Sequence, residues 1–227
     1  MTGVAMSFLD VGMSYGSKGF LHTRSKSVLQ GVSFDIYKGE TLGVIGKNGA
    51  GKSTLMKLVA GILKPDCGVI NSFVDRVQLL SLQLGFINEL TGRENVILSS
   101  LLLGMGRAEI ERKFEEIVAF SGLENAIDDP LRTYSSGMRA RLGFAISSPA
   151  DPDILVIDEA FGVGDNAFRE KSRAVITERM KSDRSFLLVS HSEGMLKEYC
   201  QRLMWIESGR LKMIGETDSV IEAYRNN

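Results

Sequence analysis

The sequence predicts an α/β fold, a parallel sheet flanked by helices, with a helical lobe inserted into it. Three observations lead there. The final third alternates apolar strands with helical segments, the pattern of a parallel sheet. The stretch from about 85 to 148 interrupts that alternation with helical spacing alone. Finally, Gly46-Lys-Asn-Gly-Ala-Gly-Lys-Ser-Thr54 stands between an apolar run and a helical face, as a strand–loop–helix unit requires. The expected organisation is a single domain over 1–227, with a core of about 1–84 and 149–227 and a lobe of about 85–148.

The elements follow in order. Val32-Ser-Phe-Asp-Ile36 alternates apolar and polar residues, as a half-exposed strand does. Thr41-Leu-Gly-Val-Ile45 reads as a buried strand, and Leu55, Leu58 and Val59 share one face of the helix after the glycine loop. Gly68–Ile70 and Val77–Leu80 read as further strands. In the lobe, Ile110, Phe114, Ile117 and Val118 keep the i, i+4, i+7, i+8 spacing of one helix face, and Met138, Leu142, Ala145 and Ile146 do the same. Strands at Ile154–Ile157, Phe186–Val189 and Leu203–Ile206 then alternate with a helix from about Asn166 to Met180 and a short one ending at Cys200. The basic stretch from Gly16 to Ser27 is expected to be an exposed loop or a short helix. Lys18, Arg24 and Lys26 flank Phe20, Leu21 and His22 there, a mixture suited to an anionic lipid headgroup or simply to solvent.

Composition excludes several classes. The chain has 227 residues and is 44% hydrophobic, enough for a sizeable core. A net charge of −1 gives no bulk pull toward nucleic acid or anionic lipid. The two cysteines, Cys67 and Cys200, suit free thiols in a reducing compartment. Met1 to Phe8 has no basic segment ahead of an apolar one, so no secretory signal is expected. The longest apolar run, Val96 to Met105, is too short to span a bilayer. A cytosolic protein is expected, and work at a membrane would need a partner.

The loop Gly46, Lys47, Asn48, Gly49, Ala50, Gly51, Lys52, Ser53, Thr54 fits the pattern G-x-x-x-x-G-K-[ST] in full. Its glycines let the backbone point successive N–H groups at one phosphate. A helix beginning near Lys52 adds the positive end of its dipole. Lys52 adds a full charge between the outer phosphates, and Ser53 offers a hydroxyl to Mg²⁺. Ile154–Ile157 leads into Asp158 and Glu159, two carboxylates at a strand end, where ligands gather in a parallel sheet. Asp158 is placed to face Mg²⁺, and Glu159 to polarise the attacking water as general base. His191 follows the strand expected beside that of Asp158 and would lie near the γ-phosphate, donating one hydrogen bond and accepting another. Tyr134-Ser-Ser-Gly-Met138 precedes a helix. Alone it reads as a helix cap; its exposed N–H groups also offer a potential second anion site.

These motifs in this order resemble the ATP-binding subunit of ABC transporters over essentially the whole chain. Tyr134–Met138 stands where that family commonly has Leu-Ser-Gly-Gly-Gln; Ser135 and Gly137 are kept, while Tyr134, Ser136 and Met138 depart. Asp165 matches the family's D-loop, and Tyr15 its adenine-stacking aromatic. Family members usually place a glutamine that binds Mg²⁺ after the strand ending near Leu80, and Gln83 is the nearest candidate. Glu89–Asn95, Tyr134–Ala145, Asp158–Asp165 and Val189–Cys200 are similar to exporters of capsule, O-antigen or teichoic acid polymers. Some of those carry a long C-terminal carbohydrate-binding domain, which a chain ending at Asn227 is expected to lack.

The resemblance implies a P-loop NTPase core with an N-terminal antiparallel β portion and the inserted helical lobe. It implies ATP and Mg²⁺ as cofactors and a homodimer paired head to tail, the loop of each copy facing Ser135, Ser136 and Gly137 of the other. It further implies a polytopic membrane permease as partner, lipid-linked polysaccharide as cargo, no nucleic acid, and a place at the cytoplasmic face of the inner membrane. An exporter of drugs or lipids, or a soluble ATPase of the same type, are the alternatives.

Overall fold

The computed structural model describes residues 3–18, 23–80, 85–158, 165–180 and 182–227. Gln83, Glu159 and the Phe20–His22 segment, singled out from the sequence, lie outside the described residues. The chain divides into two compact units. One comprises Met1–Leu79, Pro152–Glu159 and Arg179–Asn227; the other comprises Leu80–Asp151 and Ala160–Glu178.

The first unit holds two sheets. Strands β1 (Val4–Lys18), β2 (Thr23–Tyr37) and β4 (Cys67–Ser72) form an antiparallel sheet in the order β2-β1-β4. Strands β3 (Thr41–Ile45), β5 (Val77–Leu79), β6 (Ile154–Ile157), β7 (Ser185–Val189), β8 (Arg202–Glu207) and β9 (Arg210–Glu216) form the second, in the order β5-β6-β7-β3-β8-β9. All neighbours in it are parallel except β8 and β9. The central strands β3, β6 and β7 are buried at every residue. Burial on both faces is why they read as near-continuous apolar runs while Val32–Ile36 alternates. Helix α1 (Lys52–Val59) packs Leu55, Leu58 and Val59 into one core with Phe8, Ile36, Val44, Val156 and Leu187. Phe8 and Phe34 stack within it at 4.5 Å.

The stretch from Gly16 to Ser27 differs from its expected loop or short helix. Over its described residues, 16–18 and 23–27, strands β1 and β2 stay paired, with Tyr15 opposite Lys26, Gly16 opposite Ser25 and Lys18 opposite Thr23. The reason is backbone accounting. Residues 16–18 and 23–27 carry no apolar stripe to stabilise a helix, whereas a two-stranded ribbon satisfies their N–H and C=O groups across the pair.

Beyond Ile206 the chain holds two elements the pattern reading did not anticipate. Strand β9 turns back antiparallel on β8, and helix α7 (Thr217–Arg225) buries Val220 and Ile221. Helix α6 (Glu193–Tyr199) is tied to α7 by Lys197–Asp218 at 2.5 Å and by the Arg225–Glu193 ion pair. Trp205 of β8 lies opposite Ile45 of β3 and meets Tyr224 edge-on, with ring centroids 5.6 Å apart.

The second unit is helical. Helices α2 (Gly92–Leu102), α3 (Arg107–Ser121) and α4 (Ser136–Ser147) enclose Val96, Phe114, Ile117, Val118, Leu142 and Ile146. Most of α5 (Asn166–Met180) also belongs here, and its Phe168 packs edge-on against Phe120 and Phe144. Thr91 and Glu94 form a reciprocal cap at the start of α2: Glu94 N donates to Thr91 Oγ1 at 3.2 Å, and Thr91 N donates to Glu94 Oε2 at 2.8 Å. That cap draws the Glu94 carboxyl below its ordinary range. Fully buried Asn95 accepts from Ile87 N and donates to the carbonyls of Ile87, Leu90 and Thr91, pinning the 87–91 segment to α2.

The two thiols differ in accessibility. Cys67 is exposed, while Cys200 is buried and burial pushes its thiol up to about 12. Since the thiolate is the reactive form, iodoacetamide on the native protein is expected to label Cys67 and spare Cys200. Peptide mass analysis before and after denaturation checks this; equal labelling of both native thiols would contradict it.

Candidate active site

The glycine loop connects β3 to α1 at the carboxyl end of the parallel sheet. Its glycines meet different requirements. Gly51, at the N-terminal cap of α1, has φ of 111°, and Gly49 has φ of 78°. Both lie in the left-handed region that favours glycine. Gly46 needs space instead, because a Cβ there would collide with the Ile206 carbonyl of β8.

Lys52 is only 8% exposed, and its Nζ donates to the Gly46 carbonyl at 2.7 Å and the Lys47 carbonyl at 3.1 Å. Its ammonium is thus held inside the curl of the loop. Ser53 is exposed at the first turn of α1, and Thr54 is buried behind it. Thr54 Oγ1 and the Tyr15 hydroxyl share a hydrogen bond of 3.5 Å, which ties the β1 aromatic to the loop helix. Tyr15 itself is 44% exposed, so a face of its ring is open to stacking.

A cavity of about 700 Å³ brings these residues together. Tyr15, Asn48, Gly49, Gly51, Lys52, Ser53 and Thr54 line it, and Asp158 and His191 join them. The last two arrive by topology: β6 and β7 are parallel neighbours, Ile157 opposite Leu188, so both strands deliver their ends to the same edge. Asp158 and Ser53, both lining the cavity, carry hard oxygen atoms of the type Mg²⁺ prefers. Gly46, Lys47 and Ala50 belong to the same loop but are not among the lining residues. Ala50 is anchored by Gly209 N, which donates to its carbonyl at 3.0 Å.

The remaining candidates belong to the helical unit. Ser135 Oγ accepts from Met138 N at 3.2 Å, capping α4, with Ser135 and Ser136 exposed. Arg139 in the first turn donates from Nη1 to Asn88 Oδ1 at 2.6 Å, linking this segment to 87–91. Tyr134, where the resemblance expects leucine, is buried and donates to the Ala126 carbonyl at 2.5 Å. Its phenol oxygen occupies the space a side chain at Gly92 would need, and burial pushes its pKa up, with Asp129 and Asp128 adding to the effect. Asp165 Oδ1 accepts from Phe168 N at 2.9 Å, the capping position of α5.

Sequence reasoning missed two cavity walls. One is β2 at Lys26, Ser27 and Val28; the other is the β8–β9 turn at Ser208 and Gly209. The Ser-Gly dipeptide between Leu203–Ile206 and Leu211 was a legible turn signal. Gly209 O accepts from Gln30 N at 2.8 Å, so this turn joins β2 to the loop.

A glycine loop around a buried lysine, at the carboxyl edge of a parallel sheet and beside an acidic strand end, defines a nucleoside triphosphatase of the P-loop class. Residues 29–162 match the ABC transporter family. The chain belongs to that family, as an ATP-binding domain and ATPase. It is 44% identical over 205 residues to the O-antigen export system ATP-binding protein of Klebsiella pneumoniae, covering 90% of this chain and 83% of that one. It is 43% identical to the teichoic acids export ATP-binding protein of Enterococcus faecalis, covering 87% of this chain and 44% of that one. Among solved structures, an ATP-binding subunit of an ABC transporter superposes with a TM-score of 0.79 at 23% identity, over 97% of this chain and 93% of the other. A dimeric cassette with ADP and Pi bound, in a post-hydrolysis state, gives 0.75 at 19% identity, over 93% and 98%. No helix among the described residues is long and apolar enough to cross a membrane.

Proposed function

We propose that this ATPase drives export of a lipid-linked polysaccharide, as one of two identical copies attached to a membrane permease at the cytoplasmic face. The observation that carries the cargo is the 44% identity to an O-antigen export protein over 90% of this chain. Lys52 and the loop N–H groups hold the phosphates, and Tyr15 stacks on the adenine. Ser53 and Asp158, with Gln83, hold Mg²⁺, which when bound neutralises phosphate charge. Glu159 takes the proton of the attacking water, and His191 fixes the γ-phosphate. In the pair, Ser135, Ser136, Gly137 and Asp165 of one copy close over the nucleotide held by the other. The 87–95 segment, pinned by Asn95, carries the motion toward the permease. Nucleic acid has no part in this reading.

Lys52→Ala is the test of the cradle. It removes a charge-assisted contact worth about 2 kcal/mol, so ATP should bind roughly thirty-fold more weakly. Calorimetric titration measures it, and unchanged affinity would count against the site. The cargo is tested by reconstituting the chain with its permease in vesicles. Lipid-linked O-antigen-type glycans should stimulate ATP hydrolysis, whereas stimulation by drugs or simple lipids alone would overturn the polysaccharide reading.

A further inference from the structure

The nucleotide cavity contains a cation that the roles above leave unused. Lys26 lines it together with Lys52, and Asp158 is the acid among its lining residues. Lys26 is exposed, and among the described residues no hydrogen bond or ion pair engages its ammonium.

Register fixes where that ammonium can go. Lys26 is the cross-strand partner of Tyr15, so the two side chains leave the same face of the β1–β2 ribbon. Further along β2, Val28 presses its carbonyl against the loop, since a Cβ on Gly51 would lie 2.8 Å from Val28 O. Lys26 precedes that contact by two residues, about 7 Å along the strand. Its long side chain starts beside Tyr15 and lines, with Gly51 and Lys52, the gap between that aromatic and the loop. The Tyr15–Thr54 hydrogen bond closes the other side of this gap. A nucleotide whose base lies on Tyr15 and whose outer phosphates lie in the loop must pass its sugar and innermost phosphate through it. Charge points the same way. One lysine and one divalent ion leave part of a triphosphate's charge unmatched, and water-exposed cations meet anions through charge-assisted hydrogen bonds.

We propose that Lys26 is a phosphate-binding residue of this site, its ammonium meeting the phosphate nearest the sugar. The proposal rests on the nucleotide reading above. It gives the ribbon a second duty beside holding the aromatic: Tyr15 takes the base, and its strand partner takes the first charge of the chain that follows. The basic stretch, suited by its sequence to a lipid headgroup or to solvent, thus has at least one cation directed to the nucleotide.

The test is equilibrium binding of ATP, ADP and AMP, with adenosine as the phosphate-free control, to the full chain and to Lys26→Met and Lys26→Arg. Lys26→Met should weaken all three nucleotides alike, by about tenfold, because they share the innermost phosphate. Adenosine should bind unchanged, and Lys26→Arg should restore most of the loss. Unchanged nucleotide affinity in Lys26→Met, while Lys52→Ala still loses ATP, overturns this inference and spares the site. If both variants bind like wild type, the nucleotide reading itself fails. An equal loss for adenosine means that the ribbon has moved, and overturns the phosphate contact. If Lys26→Met keeps nucleotide affinity and loses co-sedimentation with phosphatidylglycerol vesicles, the cation serves a lipid surface and the inference is overturned.

Discussion

Glu159→Gln is expected to bind ATP as the unaltered chain does and to turn it over about a hundred- to ten-thousand-fold more slowly, the range that general-base catalysis supplies. The contacts argued to hold nucleotide, from Lys52, Ser53 and Tyr15, do not involve this residue. Asp158, one position earlier, brings its carboxylate to the cavity beside Ser53, so the ion site survives the change. The amide is nearly isosteric and cannot accept the proton. Phosphate release at saturating ATP, measured beside binding, separates the two effects. An ATP-bound pair should also accumulate, visible as a doubled mass in size-exclusion chromatography with light scattering. Turnover at the unaltered rate would remove Glu159 from the catalytic role.

Ser135→Arg should abolish turnover while leaving nucleotide binding to the separate chain intact. Magnitudes decide between this and misfolding. The side chain caps α4 through one bond to Met138 N, and losing such a cap costs about 1 kcal/mol. A domain with about 5–15 kcal/mol in hand tolerates that. Ser135→Ala loses the same cap without adding a cation, and should retain much more activity. Mixing Ser135→Arg with Lys52→Ala is sharper. In a two-fold pair of one of each, both lesions fall in one composite site and the other site has neither. Equal mixing should therefore return about a quarter of wild-type turnover if the sites act independently. No recovery despite demonstrated pairing of the two variants would argue against sites shared between copies.

How much of this was legible beforehand depended on local periodicity. The loop, β3, β6 and β7 announced themselves because central parallel strands are largely apolar and the loop carries its glycines in sequence. The meeting of Asp158 with His191 was legible because consecutive strands of an α/β unit neighbour one another. Lys26 was not, since its place depends on a cross-strand register that a run of Gly, Ser and basic residues does not specify. Gly209 escaped for a similar reason. Its contacts to Ala50 and Gln30 span 159 and 179 residues of chain, respectively, and no local pattern records such a distance. The Tyr134 substitution became intelligible only with Gly92 facing it.

The chain has a single tryptophan, and its position makes the protein its own optical probe. Trp205 is 8% exposed, one residue before Ile206, whose carbonyl abuts Gly46, and it lies opposite Ile45. The indole is therefore rooted on the strand that the loop leans against, with Tyr224 as a close energy donor. All tryptophan emission originates here, so a change in its intensity on titrating nucleotide can be assigned without labelling. Stopped-flow fluorescence could then time the loop's response separately from hydrolysis.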